Sequence, residues 1–308
     1  MIVEVGLILV RFTHYASLVL LFGASLFPLY VYSTDRPAPF FEACWLSSVL
    51  LATSLVGLGS GVAWLALTAA TLTDSLSSAI NPKMLMLVLR QTEFGEIWAL
   101  RLALGVMLSA ALMVGVGTPM VDRREFQIGQ ATAGGVLLGS LAFVGHAQIQ
   151  AGPAGAIHTV ADVAHLLAAG AWLGGLAPLR LALELLDHVD GANEMEIRNA
   201  ARLLQRFSAM TYGALAVVIG SGLVDGWFLV GSLEGLVGTE YGHWLMLKIA
   251  LFVALLGAVT ARRLGLTPDG ASPRWMKQVR RQVVHEQAGG LVILLVVGVL
   301  GVLTPAVA

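Results

Sequence analysis

The chain alternates between long apolar stretches and short polar ones, and the apolar stretches are long enough to cross a lipid bilayer. A transmembrane helix needs about 20 mostly apolar residues. Eight segments meet this requirement, at roughly 6–32, 41–71, 94–118, 128–150, 157–182, 204–231, 240–262 and 284–305. Each is predicted to be helical, because lipid offers the backbone no hydrogen-bond partner. No stretch shows the alternation with period two that is typical of a transmembrane β-strand.

The composition also indicates an all-α polytopic membrane protein. Of the 308 residues, 57% are hydrophobic and 12% are charged, and the mean hydropathy is +0.82. Soluble proteins of this size are much more polar. The single cysteine, Cys44, excludes a disulfide framework and a Cys-x-x-Cys motif. The first apolar stretch follows Glu4 and is too long for a cleaved signal peptide, so we predict that it is the first span.

The basic residues predict the orientation of the chain in the membrane, since Lys and Arg concentrate in cytoplasmic loops. At one end of the predicted spans the loops carry only Lys83 and Arg90. The loops at the opposite end carry Arg36, Arg123, Arg124, Arg180, Arg198, Arg202, Arg206, Arg262, Arg263, Arg274, Lys277, Arg280 and Arg281. We therefore expect the second set to be cytoplasmic. Both termini would then be periplasmic, in a bacterial inner membrane.

The sequence contains an internal repeat. Three motifs recur in the same order along the two halves of the chain. His14 with Gly23 matches His165 with Gly174, and Gly59-Ser60-Gly61 before Trp64 matches Gly220-Ser221-Gly222 before Trp227. Thr92-Glu93-Phe94-Gly95 before Arg101 matches Thr239-Glu240-Tyr241-Gly242 before Lys248. We predict two parallel four-helix repeats, residues 1–150 and 151–308. Because four spans return the chain to the same side, their pseudo-symmetry axis should follow the membrane normal.

The strongest candidate site opens the fifth predicted span. His158, Asp162 and His165 lie at positions i, i+4 and i+7 of a helix and so share one face. Two imidazoles and a carboxylate are suitable ligands for a transition metal, and ionisable residues inside a span usually mark a functional site. The alternatives are that Asp162 orients a ligand histidine or that the three residues only hydrogen-bond a helix terminus.

Other polar residues are predicted to share this half of the membrane. The repeat relates His14 to His165, and His146 follows Gly145 near the outer end of span four; both are candidate ligands or polar contacts between helices. Weaker candidates are His243, Asp225 and Met246, together with Met84 and Met86, whose thioethers suit soft metals, in the outer loop beside Lys83.

Two cations lie at equivalent positions inside spans. Arg101 and Lys248 are about six residues, or roughly 9 Å, from the ends of their helices. They could extend to the membrane surface or form ion pairs with Glu93, Glu96, Glu240, Asp162 or Asp225. We favour charge pairing.

Several motifs along the chain carry a family resemblance. They are Arg11-Phe-Thr-His14-Tyr, Phe94-Gly95 with Trp98 and Arg101, His165-Leu-Leu-Ala-Ala-Gly-Ala-Trp172-Leu-Gly-Gly175-Leu, Arg206-Phe-Ser208, Thr239 to Gly242 through Lys248, Glu286, and Thr304-Pro305-Ala306. With these motifs in this order, the sequence resembles the copper-resistance protein D (CopD/PcoD) family of bacterial inner-membrane proteins. The resemblance implies handling of a copper ion, import toward the cytoplasm, and a separate periplasmic copper-binding partner of the CopC type.

Three hypotheses for the function remain open. The leading one is a copper permease in which copper binds the outer His/Asp site and moves inward between the two halves. The second is a b-type haem or copper-dependent oxidoreductase that uses His14, His146 and His165 as ligands. The third is a copper-binding scaffold that recruits a metallochaperone without transport. The sequence lacks a P-loop, which excludes a P-loop ATPase, and no nucleic-acid partner is expected.

Overall fold

A computed structural model describes residues 2–32, 40–145, 152–187, 194–265 and 273–307. These residues form helices and connecting turns, with no β-strand among them. The α-helices are α1 (Ile2–Val31), α2 (Phe40–Thr73), α3 (Pro82–Gln91), α4 (Glu93–Gly115), α5 (Arg124–Gly139), α6 (Gly152–Asp187), α7 (Glu194–Val230), α8 (Leu233–Gly238), α9 (Glu240–Gly265) and α10 (Pro273–Leu300). The predicted all-α fold is confirmed.

The eight predicted spans are also confirmed in number and order. Eight helical segments are long and apolar enough to cross a membrane; they lie in α1, α2, α4, α5 with the 3-10 turn that follows it, α6, α7, α9 and α10. Some helices extend beyond the predicted spans. α6 and α7 contain 36 and 37 residues, nearly twice the ~20 needed to cross the hydrocarbon core. α5 is shorter than predicted, because its α-helical part ends at Gly139 and a 3-10 turn continues to Val144.

The first helices of the two predicted repeats, α1 and α6, pack against each other at the centre of the bundle. α1 also packs against α2 and α5, and α6 packs in the same way against α7 and α10. The contacts between the halves are matched as well, since α1 contacts α10 and α6 contacts α5. This arrangement supports the predicted pseudo-symmetry.

The contact between α1 and α6 is a backbone contact at Gly23 and Gly174. A Cβ on Gly174 would lie 2.0 Å from the carbonyl oxygen of Val19 and 3.0 Å from the Cα of Gly23. A Cβ on Gly23 would lie 2.3 Å from the carbonyl oxygen of Gly170. Only glycine allows so close an approach, which is how small residues associate helices within membranes. The two glycines that the repeat relates are therefore in contact with each other.

The repeated Thr-Glu-x-Gly motif caps a helix in both halves. The Thr92 hydroxyl accepts a hydrogen bond from the amide of Gly95 (2.9 Å) and donates one to the carbonyl of Val88 (2.8 Å). Thr239 likewise accepts from the amide of Gly242 (3.0 Å). A Cβ on Gly95 would lie 2.0 Å from the carbonyl oxygen of Val88. The motif thus fastens a short helix to the start of a span, α3 to α4 and α8 to α9.

The halves differ in how tightly their second and third spans pack. In the first half α2 and α4 are joined by hydrogen bonds from Trp98 Nε1 to the Gly61 carbonyl (2.9 Å) and from Ser109 to Ser54 (3.1 Å). Among the described residues, α7 and α9 lack the close contact that joins α2 and α4.

The glycine contact predicts a large effect of one methyl group. Gly174→Ala should destabilise the protein by about 1–3 kcal/mol, because the new Cβ overlaps the backbone of α1. The midpoint of thermal unfolding in detergent would measure this.

Gly59→Ala is the matched control, since a Cβ there has no neighbour within 4 Å. It should leave the midpoint unchanged or raise it slightly, because alanine favours helix. Equal midpoints for the two variants would contradict the close packing of α1 and α6.

Candidate metal centre

The predicted triplet lies on one face of α6, within its N-terminal half. His158 is 1% exposed and stacks on Phe228 of α7, with ring centroids 5.1 Å apart. Asp162 and His165 follow on the same face and are partly buried. This face is directed toward α7, which supplies the next ionisable group.

Asp225 of α7 lies between the two histidines of α6. Its Oδ1 is 4.0 Å from His158 Nε2, and its Oδ2 is 3.9 Å from His165 Nδ1. Both distances are too long for hydrogen bonds, and Oδ1 is buried without a hydrogen-bond partner among the residues described. Asp225 is only a weaker candidate from the sequence, but in the structure its carboxylate faces both imidazoles.

Asp162 is close to the other half and to a cation. A Cβ on Gly145, the last described residue before α6, would lie 4.0 Å from Asp162 Oδ2. The charge of Lys248 on α9 acts on both Asp162 and Asp225. The carboxylates are therefore offset by an ammonium group. His146 lies outside the described residues.

The hydrogen bonds of His165 define its tautomer. The Ser221 hydroxyl donates to the Val217 carbonyl (2.7 Å), so it accepts from the Nδ1–H of His165 (3.0 Å). Nε2 then carries the lone pair, and no described residue hydrogen-bonds it. An imidazole held at Nδ1 with Nε2 available is typical of a metal-binding histidine.

The equivalent histidine of the first half uses both of its nitrogens. His14 Nδ1 donates to the Gly57 carbonyl (3.0 Å), and its Nε2 accepts from Arg101 (2.9 Å). Arg101 also donates to the carbonyl of Leu137 (2.5 Å) and to Ser140. The structure therefore separates His14 from His165 and places it in a self-contained network.

Other positions of the two sites also differ. Counting from His14 and His165, Arg11 corresponds to Asp162; counting from Ser60 and Ser221, Trp64 corresponds to Asp225. The Arg11 guanidinium lies over the Trp64 ring, 4.8 Å from its centroid. A cation and an indole thus replace the two carboxylates.

This correspondence changes the predicted match of Trp64 with Trp227. Trp64 is 3% exposed inside the first half, whereas Trp227 is 72% exposed on the surface of α7. The Gly-Ser-Gly motif, which contacts the histidine in both halves, sets the register instead.

The charge pairing predicted for Arg101 and Lys248 is not seen with Glu96 or Glu240. No ion pair among the described residues joins either cation to these two carboxylates. Glu96 and Glu240 are exposed in the first turns of α4 and α9, where the helix dipole favours acids. Arg101, 6% exposed, bonds neutral groups instead, and Lys248 has Asp162 and Asp225 as its charged neighbours.

The weaker candidates lie elsewhere. His243 is exposed at the start of α9 and donates to the Val237 carbonyl (2.8 Å). Met246 is partly buried on the same helix. Met84 and Met86 lie on α3 rather than in an irregular loop, and residues two apart on a helix do not face each other. The two sulfurs are therefore on different faces.

The site is not a closed metal cage. Within the described ranges, no three His, Cys, Asp or Glu side chains are grouped closely enough to hold a metal ion. Room for haem is also missing beside His14, where the cavity is about 20 Å³, enough for roughly one water molecule. Metal binding would require the side chains of α6 and α7 to move closer together.

The Arg101 network predicts a stability effect. Arg101→Ala should destabilise the protein by about 3 kcal/mol, since it leaves His14, Ser140 and the Leu137 carbonyl without their buried donor. The free energy of unfolding in mixed detergent micelles is the measurement.

Arg123→Ala removes a guanidinium from an exposed position and should change the same free energy by less than about 0.5 kcal/mol. If the two substitutions have equal effects, Arg101 does not hold the first half together.

Comparison with protein families gives two adjoining matches. The model described as "Copper resistance protein D-like, N-terminal domain" matches residues 1–156. The model described as "Copper resistance protein D" matches residues 201–300. Together they include most of both halves.

Similar curated proteins occur in three bacteria. Copper resistance protein D of Pseudomonas syringae pv. tomato is 29% identical, over 97% of this chain and 96% of its own length. Inner membrane protein YebZ of Escherichia coli K12 is 30% identical, over 97% and 98%. Copper transport protein CutJ of Bacillus subtilis 168 is 31% identical over 58% of this chain and 32% of its own length. No solved structure gives a significant match.

Proposed function

Since the chain belongs to the copper resistance protein D family, we propose that it binds copper as its substrate between α6 and α7 and carries it across the bacterial inner membrane. The observation that carries this proposal is the convergence of two imidazoles and two carboxylates, from two helices, in the second half alone. Ionisable groups are costly inside a membrane and are retained mainly where they act on an ion or a proton.

Each residue has a distinct role in the proposed site. His165 binds copper through Nε2, because Ser221 holds its Nδ1–H. Asp162 lies one turn away on the same face, and His158 lies one turn further. Asp225 positions the two imidazoles, since it faces both at about the same distance. His146 remains a candidate ligand beyond Gly145.

Lys248 balances the charge of the two carboxylates before copper binds. Two carboxylates in a poorly hydrated space repel each other unless a cation is near, and Lys248 supplies that cation. A bound copper ion would take over this role. Since α7 and α9 lack a close contact with each other among the described residues, Lys248 would move away between them as copper enters.

The two proposed repeats, residues 1–150 and 151–308, have different roles: the first is structural and the second binds copper. The first half supports the second through the α1–α6 contact, and its Arg101–His14 network leaves no free imidazole nitrogen. We therefore propose one copper ion per chain at this level of the membrane, not two.

The orientation follows from the distribution of Lys and Arg. We propose that both termini are periplasmic, which places the site near the periplasm and within reach of a CopC-type donor. Copper would then move inward. The sequence contains no P-loop, so we propose that an ion gradient or the copper gradient drives transport.

Substitution of His165 and substitution of His14 should affect copper binding differently. His165→Ala should abolish stoichiometric copper binding by the purified protein in detergent, because it removes the free Nε2. Asp225→Asn should weaken binding by about 10–100-fold, as expected of a residue that orients ligands. Copper per chain after dialysis, measured by mass spectrometry for both oxidation states, provides the test.

His14→Ala and His243→Ala are the controls and should retain one copper per folded chain. If His14→Ala loses as much copper as His165→Ala, the ion is shared between the halves and the proposed location is wrong. A folded His165→Ala variant that retains full copper would also refute it.

Transport is tested separately in proteoliposomes that enclose a copper-sensitive dye. The wild-type protein should accelerate copper entry, and Asp225→Asn should reduce the rate by at least about tenfold. Gly59→Ala serves as the active control, since it lies away from the site.

Two results would redirect the proposal. Stoichiometric copper binding without flux would indicate a scaffold that recruits a metallochaperone. A Soret band in the purified protein that shifts on dithionite reduction would indicate a haem oxidoreductase; we expect no such band.

A further inference from the structure

One helix of the structure lies at the end of the bundle and does not cross it. α3 begins where Asn81 accepts a hydrogen bond from the amide of Lys83 (3.0 Å) and Pro82 occupies the first helical position. It ends at Gln91, and only Thr92 separates it from the membrane-spanning α4. α3 therefore lies at the depth where a span leaves the hydrocarbon core.

α3 is held rigidly on one side. Val88 is 3% exposed, and Leu85 and Leu89 pack with it against the core of the first half. Thr92 bonds both the last turn of α3 and the first turn of α4. The orientation of the helix about its axis is therefore fixed.

The opposite face combines apolar and cationic side chains. Lys83, Met86, Leu87 and Arg90 are spaced i, i+3, i+4 and i+7 and so form one stripe. Met86 and Leu87 are 48% and 53% exposed. The stripe borders an open groove of about 460 Å³ lined by Pro82, Lys83, Met86, Leu87, Arg90 and Gln91.

We propose that this face of α3 binds anionic phospholipid, with Lys83 and Arg90 on the phosphates and with Met86 and Leu87 against the acyl chains. A helix at the membrane surface with apolar residues between cations has the composition of an interfacial lipid-binding helix. Long basic side chains at that depth extend to the headgroups. The occupant is therefore a lipid of the surrounding bilayer.

The loop cations at this end of the bundle lie on α3, so anionic lipid should be attracted to α3 in particular. Lys83 and Arg90 are the only basic residues in the loops that connect the spans at this end of the helical bundle. The equivalent helix of the second half, α8, has six residues, one acid (Glu234) and no cation. Two cations beside Met86 also disfavour binding of a copper ion there. This proposal does not depend on the function proposed for α6 and α7.

A local lipid measurement tests it. In a Cys44→Ser background, Leu87→Cys is labelled with bimane, and the full chain is reconstituted in mixed phosphatidylglycerol and phosphatidylcholine. One of the two lipids is brominated at a time, at equal mole fractions. Quenching by brominated phosphatidylglycerol should exceed that by brominated phosphatidylcholine, with a local enrichment of roughly fivefold at low salt.

Three variants complete the test. Lys83→Gln with Arg90→Gln should equalise quenching by the two lipids, and Lys83→Arg with Arg90→Lys should restore the preference. A label at Leu100→Cys, 73% exposed on α4, should show no preference. If the glutamine variant retains the preference, the cations do not bind the lipid. If neither lipid quenches the label at position 87, the face contacts water or a protein partner, and the proposal fails.

Discussion

The contact between Gly23 and Gly174 is the constraint on which the arrangement of both halves depends. Because the backbones of α1 and α6 touch there, each helix packs its remaining faces mainly against helices of its own half, with further contacts to α10 for α1 and to α5 for α6. His14 and His165 lie nine residues, or roughly 13.5 Å, from this contact. At that height they face α2 and α7 respectively, so histidines that match in sequence occupy separate sites.

The two halves share the same arrangement of helices but carry different buried polar and charged groups. A membrane interior requires every buried polar group to find a partner within the protein. In the first half both nitrogens of His14 have partners, Arg101 joins His14 to the end of α5, and Trp64 fills the position that Asp225 has in the second half. The second half leaves a lone pair on His165 and a carboxylate oxygen of Asp225 without partners among the described residues. That difference, more than the presence of histidine, distinguishes a candidate site from a structural network.

Much of the fold could be predicted from the sequence, because apolar length determines where a helix can cross a membrane. The face of α6 that bears His158, Asp162 and His165 followed from helical spacing alone. The position of Asp225 beside the two histidines could not be predicted from helical spacing, because it depends on the register of α7 against α6. The contact of Gly220-Ser221-Gly222 with His165 sets that register. The partners of Arg101 were also missed. Sequence suggests a carboxylate for a buried cation, but the buried C-terminal end of α5 supplies a carbonyl and a hydroxyl.

The looseness of the candidate site is itself informative about the proposed function. The described residues contain no group of three or more His, Cys, Asp or Glu side chains placed to hold a metal ion. Conduction requires an ion to bind well enough to enter and weakly enough to leave. With separations of 3.9 and 4.0 Å around Asp225 and Lys248 near the same carboxylates, the copper binding that we propose would depend on movement of α7 or α9. Among the described residues, α7 packs against α6 and α9 packs against α10, but α7 and α9 lack a close contact with each other, so either helix could move relative to the other without breaking a shared interface.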